Sequence, residues 1–553
     1  MASLACWTCR LRRKRCDRTQ PICKTCSNLG ISCCYSKERP KWMDGAEKQL
    51  AKTQAIKAQV KQGVAARRGG GEAAIRVFSL HQQAEPSPTA APEISPTSSS
   101  SPSQTSGISS AHAADGSAAE ETENFLITLY LDTVFPLLFP QYKPTSLSGG
   151  RSWISALLKT NKAVYHSALS TSAYYFTLML AKDATHTLRT PCEQHVWDTL
   201  DTHMEMSIKA IKHMNQYHLQ GPCSDILSKL HVLAGVVQYL IFATAMPQGA
   251  DWKIHLSAAL TLLNEILQSH GTSNGICSLE NVIQSMDKPS IFVGIDLGFR
   301  VWNSDQAAFQ FYASFLLYAD IIASIQLGRP LQLRCHHQAL IASPEVTIAS
   351  DGSSQPLPGL ETYIGCHGWV LTALSEIFEL EADKRSFQSK EKYFSQELMR
   401  KGRVLKRKLQ LVSMRSDDQN RKLQPQKVVL ITKIWLHAAI VYISVVLDGW
   451  QPHSLYIHEN VSSILGILDI FSSELSIRSV MFPFCIAGFL AKREQERTFR
   501  RFFSTLESLQ ALGPAKRALR LIEQVWRLRE GLDEGSWGLY DCFQAMGSDV
   551  LLI

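Results

Sequence analysis

Apolar residues recur about every 3.6 positions from about residue 122 to the end of the chain. One such stripe contains Val196, Leu200, Met204, Ile208 and Ile211. This spacing places apolar side chains on one face of a helix, whereas a half-buried strand alternates at every second residue, and sustained alternation is hard to find here. The pattern therefore predicts a large all-helical domain over 120–553.

The longest apolar run, at 428–447, is long enough to raise the question of a membrane span. Lys433 and His437 lie one helical turn apart within it, and charged groups at that depth in a bilayer are costly. We therefore expect a buried helix with these two side chains at its more hydrated edge, and no membrane partner.

The segment 86–118 contains five Pro and eleven Ser among its thirty-three residues and has no aromatic residue. Such a segment buries too little apolar surface to offset the entropy lost on ordering. We predict a disordered linker over 69–119. The preceding segment, 43–68, is rich in Ala, Lys and Gln, and its best heptad stripe has only Met43, Leu50 and Val60 as large apolar residues. It is expected to be basic, able to form a helix, and at most a weak dimerisation segment.

Positive charge is concentrated at the start of the chain. Residues 1–68 contain sixteen Lys and Arg and four Asp and Glu, a net charge of +12. Because the whole chain carries +8, the remainder carries −4. A basic arm on a slightly acidic body predicts a polyanionic partner at one end, either nucleic acid or an anionic membrane surface.

Cysteine follows the same division, since seven of the fourteen lie between Cys6 and Cys34 and the others are scattered singly. The charged, cysteine-rich N-terminus has no apolar stretch typical of a secretory signal. We therefore expect a reducing compartment, in which thiols bind metal instead of forming disulfides. Six of the seven follow a duplicated spacing, Cys6-x2-Cys9-x6-Cys16-x6-Cys23-x2-Cys26-x6-Cys33.

No histidine occurs before His81, so the ligands of a metal site here would all be thiolates. One zinc ion would leave two thiols spare, and the duplicated spacing argues for the use of all six. Two tetrahedral zinc ions require eight metal–sulfur bonds, so two of six sulfurs must bridge. We predict a cluster of two zinc ions. Cys33 and Cys34 are both placed to close it, and the repeated x6 gap favours Cys33 and leaves Cys34 a spare thiol.

These spacings, the basic run Arg12–Arg15 between the second and third cysteines, and Pro21 before the fourth are features of a known family. Residues 1–42 resemble the fungal Zn(2)-Cys(6) binuclear cluster transcription factors. The resemblance implies that Cys6 and Cys23 bridge the two zinc ions. It also implies that Pro21 is the loop proline that lets the two halves of the cluster fold together.

In that family a short helix held between the second and third cysteines enters the major groove and reads a CGG triplet. By position, the resemblance assigns base contacts to Arg12 and Arg13, beside Lys14, because arginine can donate two hydrogen bonds to guanine. Contacts to phosphate, which position the protein without specifying sequence, fall to Arg10, Arg15, Arg18 and Lys24. The basic run also reads as a nuclear import signal, which implies a nuclear protein.

The helical part resembles the second class of fungal-specific transcription factor regulatory domain over most of 120–553. Four segments carry this resemblance: "LYLDTVFPLLFPQYKP" (129–144), "GRSWISALLKTNKAVYHSALSTSAYY" (150–175), "MFPFCIAGFLA" (481–491) and the C-terminal "WGLYDCFQAMGSDVLLI". The stretch "RPKWMDGAEKQLAKTQAIKAQVKQ" is similar to regulators of chemical resistance and secondary-metabolite gene clusters.

The resemblance implies a sequence-specific transcriptional regulator that is not an enzyme, with double-stranded DNA and the import and transcription machinery as partners. It leaves open whether the protein is a monomer or a homodimer. The alternative is a zinc-stabilised scaffold or an enzyme in the helical domain. "GTSNG" at 271–275 matches the G-x-S-x-G nucleophile motif, but that motif follows a strand and "LTLLNEILQSH" before it is helical in pattern, so we expect a loop.

The last residues, 531–553, mix acidic and aromatic side chains as activation segments do. However, Trp537, Tyr540, Phe543 and Met546 recur every three residues, and the chain ends on the apolar "VLLI". An apolar helical face is costly to leave in water. We therefore expect this tail to dock on the helical domain.

Overall fold

The computed structural model describes two parts of the chain. The first contains residues 5–12, 16–19, 22–27, 31–35, 40, 42, 48–49, 52–53 and 56. The second contains 120–145, 149–180, 191–219, 225–246, 252–273, 276–286, 302–341, 359–386, 392–415, 426–470, 476–505, 515–529, 537–545, 547 and 551–553. Contacts divide the chain into two compact units, Met1–Gln104 and Thr105–Ile553. The predicted linker, 69–119, lies outside the described residues.

The N-terminal unit contains two short helices, α1 (Trp7–Leu11) and α2 (Lys24–Ser27), each in one half of the cysteine repeat. Residues 48–49, 52–53 and 56 are also helical. Ile56 is buried in one apolar cluster with Ile31 and four of the cysteines. The predicted heptad stripe of 43–68 does not contain Ile56, so this part of the segment packs against the cysteine cluster through a different position. The rest of 43–68, apart from 48–49 and 52–53, lies outside the described residues.

The second unit is built of α-helices, which confirms the predicted mainly α fold. Its elements in chain order are α3 (120–129), a π turn (Tyr130–Val134) leading to Phe135–Leu138, α4 (Ser152–Thr160), α5 (Lys162–Leu180), α6 (Pro191–Leu219), α7 (Ile226–Ala245), α8 (Trp252–Ile266), a π turn (Leu267–Gly271), β1 (Thr272–Ser273), β2 (Ile276–Cys277), α9 (Leu279–Ser285), α10 (Ser304–Leu327), α11 (Arg334–Ile341), α12 (Glu361–Ile364), α13 (Gly368–Ser386), α14 (Lys392–Arg415), α15 (Gln426–Asp448), α16 (Leu455–Ile470), a 3-10 turn (Ile477–Val480), α17 (Met481–Phe489), α18 (Arg493–Thr505), α19 (Ala515–Leu528) and α20 (Leu539–Gln544). The two strands form a minimal antiparallel pair.

Helix α10 is the centre of the core, since every residue from Gln306 to Gln326 is buried. Its start is fixed by a capping box, in which the Gln306 N–H donates to Asn303 Oδ1 at 3.0 Å and the Asn303 N–H donates to Gln306 Oε1 at 2.9 Å. It ends at Gly328, whose φ of 61° is costly for residues with a Cβ. A helix that is buried all round must be enclosed by other elements, and its few polar residues, such as Asp320, must find partners inside the domain.

An aromatic cluster joins two of the segments that resemble the regulatory domain to α10. The ring of Phe311 lies 4.9 Å from each of the rings of Phe139, Tyr142 and Trp153. The indole N–H of Trp153 donates to the Tyr142 hydroxyl at 2.9 Å, which satisfies a buried polar group. The segments 129–144 and 150–175 therefore supply one side of this cluster.

The C-terminal tail docks on the helical unit, which confirms the expectation of packing. The ring of Phe543 stacks on Phe482 at 5.7 Å. Gln326 at the end of α10 binds the tail twice: its carbonyl accepts from Gln544 Nε2 at 2.8 Å, and its side-chain oxygen accepts from the Leu552 N–H at 3.1 Å. The described part of the tail is thus a structural element of the core.

Three helices, α7, α10 and α15, are long and apolar enough to cross a membrane by length and composition. The most apolar windows of these helices are 78%, 100% and 78% buried inside the protein, respectively. In α15, Lys433 and His437 are only partly buried, and His437 Nδ1 lies 2.9 Å from Asn460 Oδ1. The apolar surface of these helices is therefore used in packing, and the predicted hydrated edge of α15 is confirmed.

We predict that Phe311→Ala lowers the free energy of unfolding by about 3 to 5 kcal/mol, because it removes a ring that six others contact and leaves a cavity. Chemical denaturation followed by tryptophan fluorescence measures the change. Phe125→Ala is the control, since Phe125 is 51% exposed and should change the unfolding midpoint little. Equal effects of the two substitutions would contradict the central position of the aromatic cluster.

Candidate metal centre and nucleic-acid interface

The two halves of the cysteine repeat fold in the same way. In the first, the Cys9 N–H donates to Cys6 Sγ at 3.3 Å. In the second, the Cys26 N–H donates to Cys23 Sγ at 3.4 Å. The x2 spacing thus makes one tight turn twice, and the leading sulfur of each half accepts a backbone hydrogen bond that favours its thiolate form.

Backbone and side-chain hydrogen bonds close the two halves on each other. The Trp7 N–H donates to the Cys34 carbonyl at 2.8 Å, and the Thr8 hydroxyl donates to the Ser32 carbonyl at 2.9 Å. The carbonyl of Cys34 is therefore part of the closure, while its thiol belongs to neither of the groups of sulfurs described next.

Six sulfurs form two overlapping groups of four. One group contains Cys6, Cys9, Cys16 and Cys23, and the other contains Cys6, Cys23, Cys26 and Cys33. Within each group all ligand atoms lie within 4.8 Å of one another, and the shared members are Cys6 and Cys23. This is the arrangement that two four-coordinate ions require when they share two of six ligands.

The sulfur–sulfur distances also fit zinc. Cys6 Sγ and Cys23 Sγ are 3.7 Å apart, and Cys23 Sγ lies 3.8 Å from Cys33 Sγ. A tetrahedral zinc ion with bonds of about 2.3 Å separates its sulfur ligands by about 3.8 Å. The described residues therefore place Cys33 at the distance of a ligand.

Burial makes this thiol set dependent on a cation. Desolvation raises the pKa of Cys6, Cys9 and Cys26 above the ordinary thiol value. At Cys16 burial also acts to raise the pKa, but the hydrogen bond with the Tyr35 hydroxyl and backbone contacts lower it to about 6. Bound metal supplies the positive charge that keeps buried sulfurs deprotonated, so the donor set fits zinc.

The predicted DNA-binding residues that the structure describes lie around this centre. Arg10 is exposed and stacks on the Trp7 ring, with its guanidinium carbon 4.9 Å from the ring centroid. Arg12 is partly buried at the end of α1, and its Nη1 has no hydrogen-bond partner among the described residues. Arg18 and Lys24 are exposed. The remaining members of the predicted motif lie outside the described residues: Arg13, Lys14, Arg15 and Pro21.

Sequence reasoning missed the apolar support of the cysteine cluster. Ile31 and Ile56 are both buried among the cysteines, and Leu11 and Tyr35 pack against them. Ile31 lies inside the cysteine spacing and could have been proposed as a core residue. Ile56 lies in an Ala- and Lys-rich segment and had no signal that separates it from its neighbours.

The G-x-S-x-G match does not have the geometry of a nucleophile turn. Helix α8 and a π turn precede Ser273, which itself lies in the two-residue strand β1. The motif requires a strand before the serine and a helix directly after it. Residues 271–273 form the end of the π turn and strand β1, so the expectation of a loop was wrong for these residues, while 274–275 lie outside the described residues.

Two family descriptions match the chain. Residues 4–42 match the fungal Zn(2)-Cys(6) binuclear cluster domain. Residues 125–553 match the fungal specific transcription factor domain. The two matches cover the cysteine cluster and nearly all of the helical unit, and residues 43–124 lie between them.

Curated relatives match the chain along nearly its whole length. Transcription factor dibT of Pestalotiopsis microspora is 30% identical over 99% of this chain and 98% of its own length. Pestheic acid cluster transcriptional regulator 3 of Pestalotiopsis fici is 22% identical, with 96% of each chain covered. The ustiloxin B cluster transcription factor ustR of Aspergillus flavus is 23% identical over 94% of this chain and 93% of its own. No solved structure matches the chain.

The N-terminal domain binds two zinc ions, as the matched domain and the clustered cysteines together establish. Zinc supplies folding free energy here, since a segment of about forty residues buries too little apolar surface to be stable alone. The pair of ions also reduces the charge of the arm, because six thiolates and two zinc ions together carry about −2. The arm stays strongly basic.

We predict that Cys33→Ser lowers the zinc content of the purified protein and unfolds the N-terminal unit, whereas Cys34→Ser retains two zinc ions. The reason is that Cys33 Sγ belongs to a four-sulfur group and Cys34 Sγ does not. Zinc per chain is measured by elemental analysis of protein at known concentration. The opposite result would mean that the second half of the repeat uses an x7 gap.

Proposed function

The chain belongs to the family of fungal transcription factors that join a Zn(2)-Cys(6) binuclear cluster domain to a fungal specific transcription factor domain, and from this we propose that it is a nuclear regulator binding CGG-containing DNA. The observation that carries the proposal is the pair of four-sulfur groups that share Cys6 and Cys23. A centre of this kind fixes the backbone on both sides of the basic run and presents it as a rigid surface. Rigid presentation is what base recognition needs, because a flexible basic run would bind phosphate without reading sequence.

We assign the zinc ligands to six cysteines. The two that belong to both sulfur groups bridge the ions, and the other four each bind one ion. The full set is Cys6, Cys9, Cys16, Cys23, Cys26 and Cys33. Helix α1 is N-capped by Cys6, one of the bridging residues, and contains Cys9, so its orientation is set directly by the metal.

The base contacts fall to Arg12, which follows α1 directly, and, by the resemblance, to Arg13 beside Lys14. Arg12 supports this role by its position directly after α1, the helix that contains Cys9, because arginine can donate two hydrogen bonds to guanine O6 and N7. Contacts to phosphate fall to the surrounding basic residues, which set register and orientation. These residues are Arg10, Arg15, Arg18 and Lys24.

The process that the protein controls is inferred from its relatives. Two of those named above carry in their names a biosynthetic cluster, for pestheic acid and for ustiloxin B. We propose that this chain regulates genes of a secondary-metabolite cluster and that the helical domain links DNA binding to the transcription machinery. Domain boundaries of 1–42, 43–68, 69–119 and 120–553 fit this division of labour, with 69–119 as a disordered linker.

Selection of binding sites from random duplexes by the full-length protein tests the proposal. We expect CGG triplets to be enriched, because two arginines at the end of a fixed helix suit two neighbouring guanines. One triplet per selected site would indicate a monomer, and two at a fixed spacing would indicate a dimer. Recovery of random sequence by zinc-loaded protein would overturn the proposal.

We predict that Arg13→Ala weakens specific binding by about 1 to 3 kcal/mol and leaves non-specific affinity nearly unchanged. Lys24→Ala is the matched comparison, since a lost phosphate contact weakens both kinds of binding and lowers the salt slope by about 1. Titrations of a selected duplex and a scrambled duplex at several salt concentrations measure both terms. Equal loss on the two duplexes for Arg13→Ala would contradict its assignment as a base contact.

A further inference from the structure

One face of helix α14 is exposed and carries a regular stripe, which we call the α14 stripe: Arg400, Val404, Arg407, Leu411 and Met414. The alternating spacing of four and three residues keeps its members on one side of a helix. Val404 is 60% exposed, Leu411 is 46% exposed and Met414 is 78% exposed. Large apolar side chains scattered singly on a surface are ordinary, whereas three in helical register on one face make that face a candidate interaction surface.

The opposite face holds α14 firmly against the domain. Leu405 and Leu409 are buried in the core. At the edge of this face Lys406 Nζ lies 2.8 Å from Asp448 Oδ2, and Gln410 Nε2 donates to the Tyr456 hydroxyl at 2.7 Å. The helix cannot turn its apolar stripe inward without giving up these contacts. The exposure of the stripe is therefore a property of the fold.

Positive charge surrounds the stripe. Lys401, Arg403 and Lys408 are exposed beside it. The single acidic residue of α14, Glu397, is engaged by Arg400 through a fork of two bonds at 2.7 and 2.8 Å. Arg403 forms no ion pair with any residue in the described part of the chain, and the same holds for Arg407 in the stripe itself.

We propose that the α14 stripe binds an acidic amphipathic helix of a partner protein. The partner would place apolar side chains at i, i+4, i+7 and i+11 against Val404, Leu411 and Met414, and carboxylates on both flanks against the surrounding Lys and Arg. Apolar contact supplies affinity, and the charges select the partner and speed its approach. This binding is separate from DNA recognition, because no residue of the zinc cluster takes part.

Two other occupants fit the surface less well. A second copy of the chain would bring this basic stripe against an identical one, and like charges across an interface are repulsive. DNA phosphates would pair with the Lys and Arg but would leave Leu411 and Met414 without an apolar partner. An acidic amphipathic helix satisfies both the charge and the apolar side chains.

The test uses a fluorescein-labelled synthetic peptide of about 15 residues, long enough to form roughly four helical turns. It carries Leu at i, i+4, i+7 and i+11 and Glu at the flanking positions. A second peptide has the same composition in permuted order. We expect full-length protein to bind the patterned peptide at least about tenfold more tightly than the permuted one, measured by fluorescence anisotropy.

Two double variants separate the contributions. Leu411→Ser with Met414→Ser should weaken binding of the patterned peptide at least about tenfold at any salt concentration. Arg403→Glu with Arg407→Glu should weaken it most at low salt, because salt screens exposed charges. The matched control is Met206→Ser with Lys209→Glu and Lys212→Glu, an exposed Met and two exposed Lys of α6, which should leave binding unchanged. All variants change exposed side chains, so their melting temperatures should equal that of the original protein.

Four results would overturn the proposal. The first is equal binding of the two peptides, and the second is equal loss in the α6 control. The third is self-association, seen by sedimentation, that Leu411→Ser with Met414→Ser abolishes, since this would make a second copy the occupant. The fourth is loss of non-specific DNA affinity in the arginine variant without loss of peptide binding, which would assign the face to phosphate.

Discussion

The bonding of zinc to buried thiolates is the interaction on which the DNA-binding part of this protein depends. Cys6 and Cys23 start the two helical turns, belong to both sulfur groups, and are themselves fully buried. Without metal, burial raises the pKa of Cys6, whereas at Cys23 burial acts in the same direction but hydrogen bonds, first that of the Cys26 N–H, lower the pKa. The unit would then have only a few apolar side chains to hold it together. With metal, the same burial protects the bonds from water. The ligand spacing thus sets the positions of α1 and α2, and Ile31 and Ile56 pack against the cysteines that hold them.

The helical domain follows the opposite principle, since its organisation rests on one apolar helix. Because α10 is buried along its length, the elements that touch it must present apolar faces, and the aromatic residues at 135–153 do so. The tail is bound to the end of the same helix through Gln326. The segments that identify the regulatory domain in the sequence are therefore packing surfaces. They identify the fold and say little about which genes the protein controls.

Structural features that follow from local repeats in the sequence could be predicted, whereas contacts between distant segments could not. The stripe of Leu200 and Ile211 follows from helical periodicity, and the closeness of the cysteines follows from their duplicated spacing. Ile56 could not be predicted, because its burial against Ile31 depends on how a distant segment folds back. The exposure of the α14 stripe could not be predicted for the same reason. Periodicity shows that α14 is amphipathic, but only the packing of Leu405 and Leu409 against the domain shows that Val404, Leu411 and Met414 stay exposed.

The net charge of the chain after residue 68 does not show that one helix in this part of the chain is strongly basic. Residues after 68 carry a net charge of −4, yet α14 alone contains eight Lys and Arg and one Glu. The neighbours of these charges decide what they bind. Around the zinc cluster, a guanidinium on a helix that the metal holds in place can donate hydrogen bonds to base edges and phosphates, because both offer acceptor atoms. On α14, the charges surround the exposed side chains of Val404, Leu411 and Met414. Phosphate offers these side chains no apolar surface, so only a partner with apolar side chains can remove them from water. Two basic helices in one chain are thus suited to different partners, the first to nucleic acid and the second to protein.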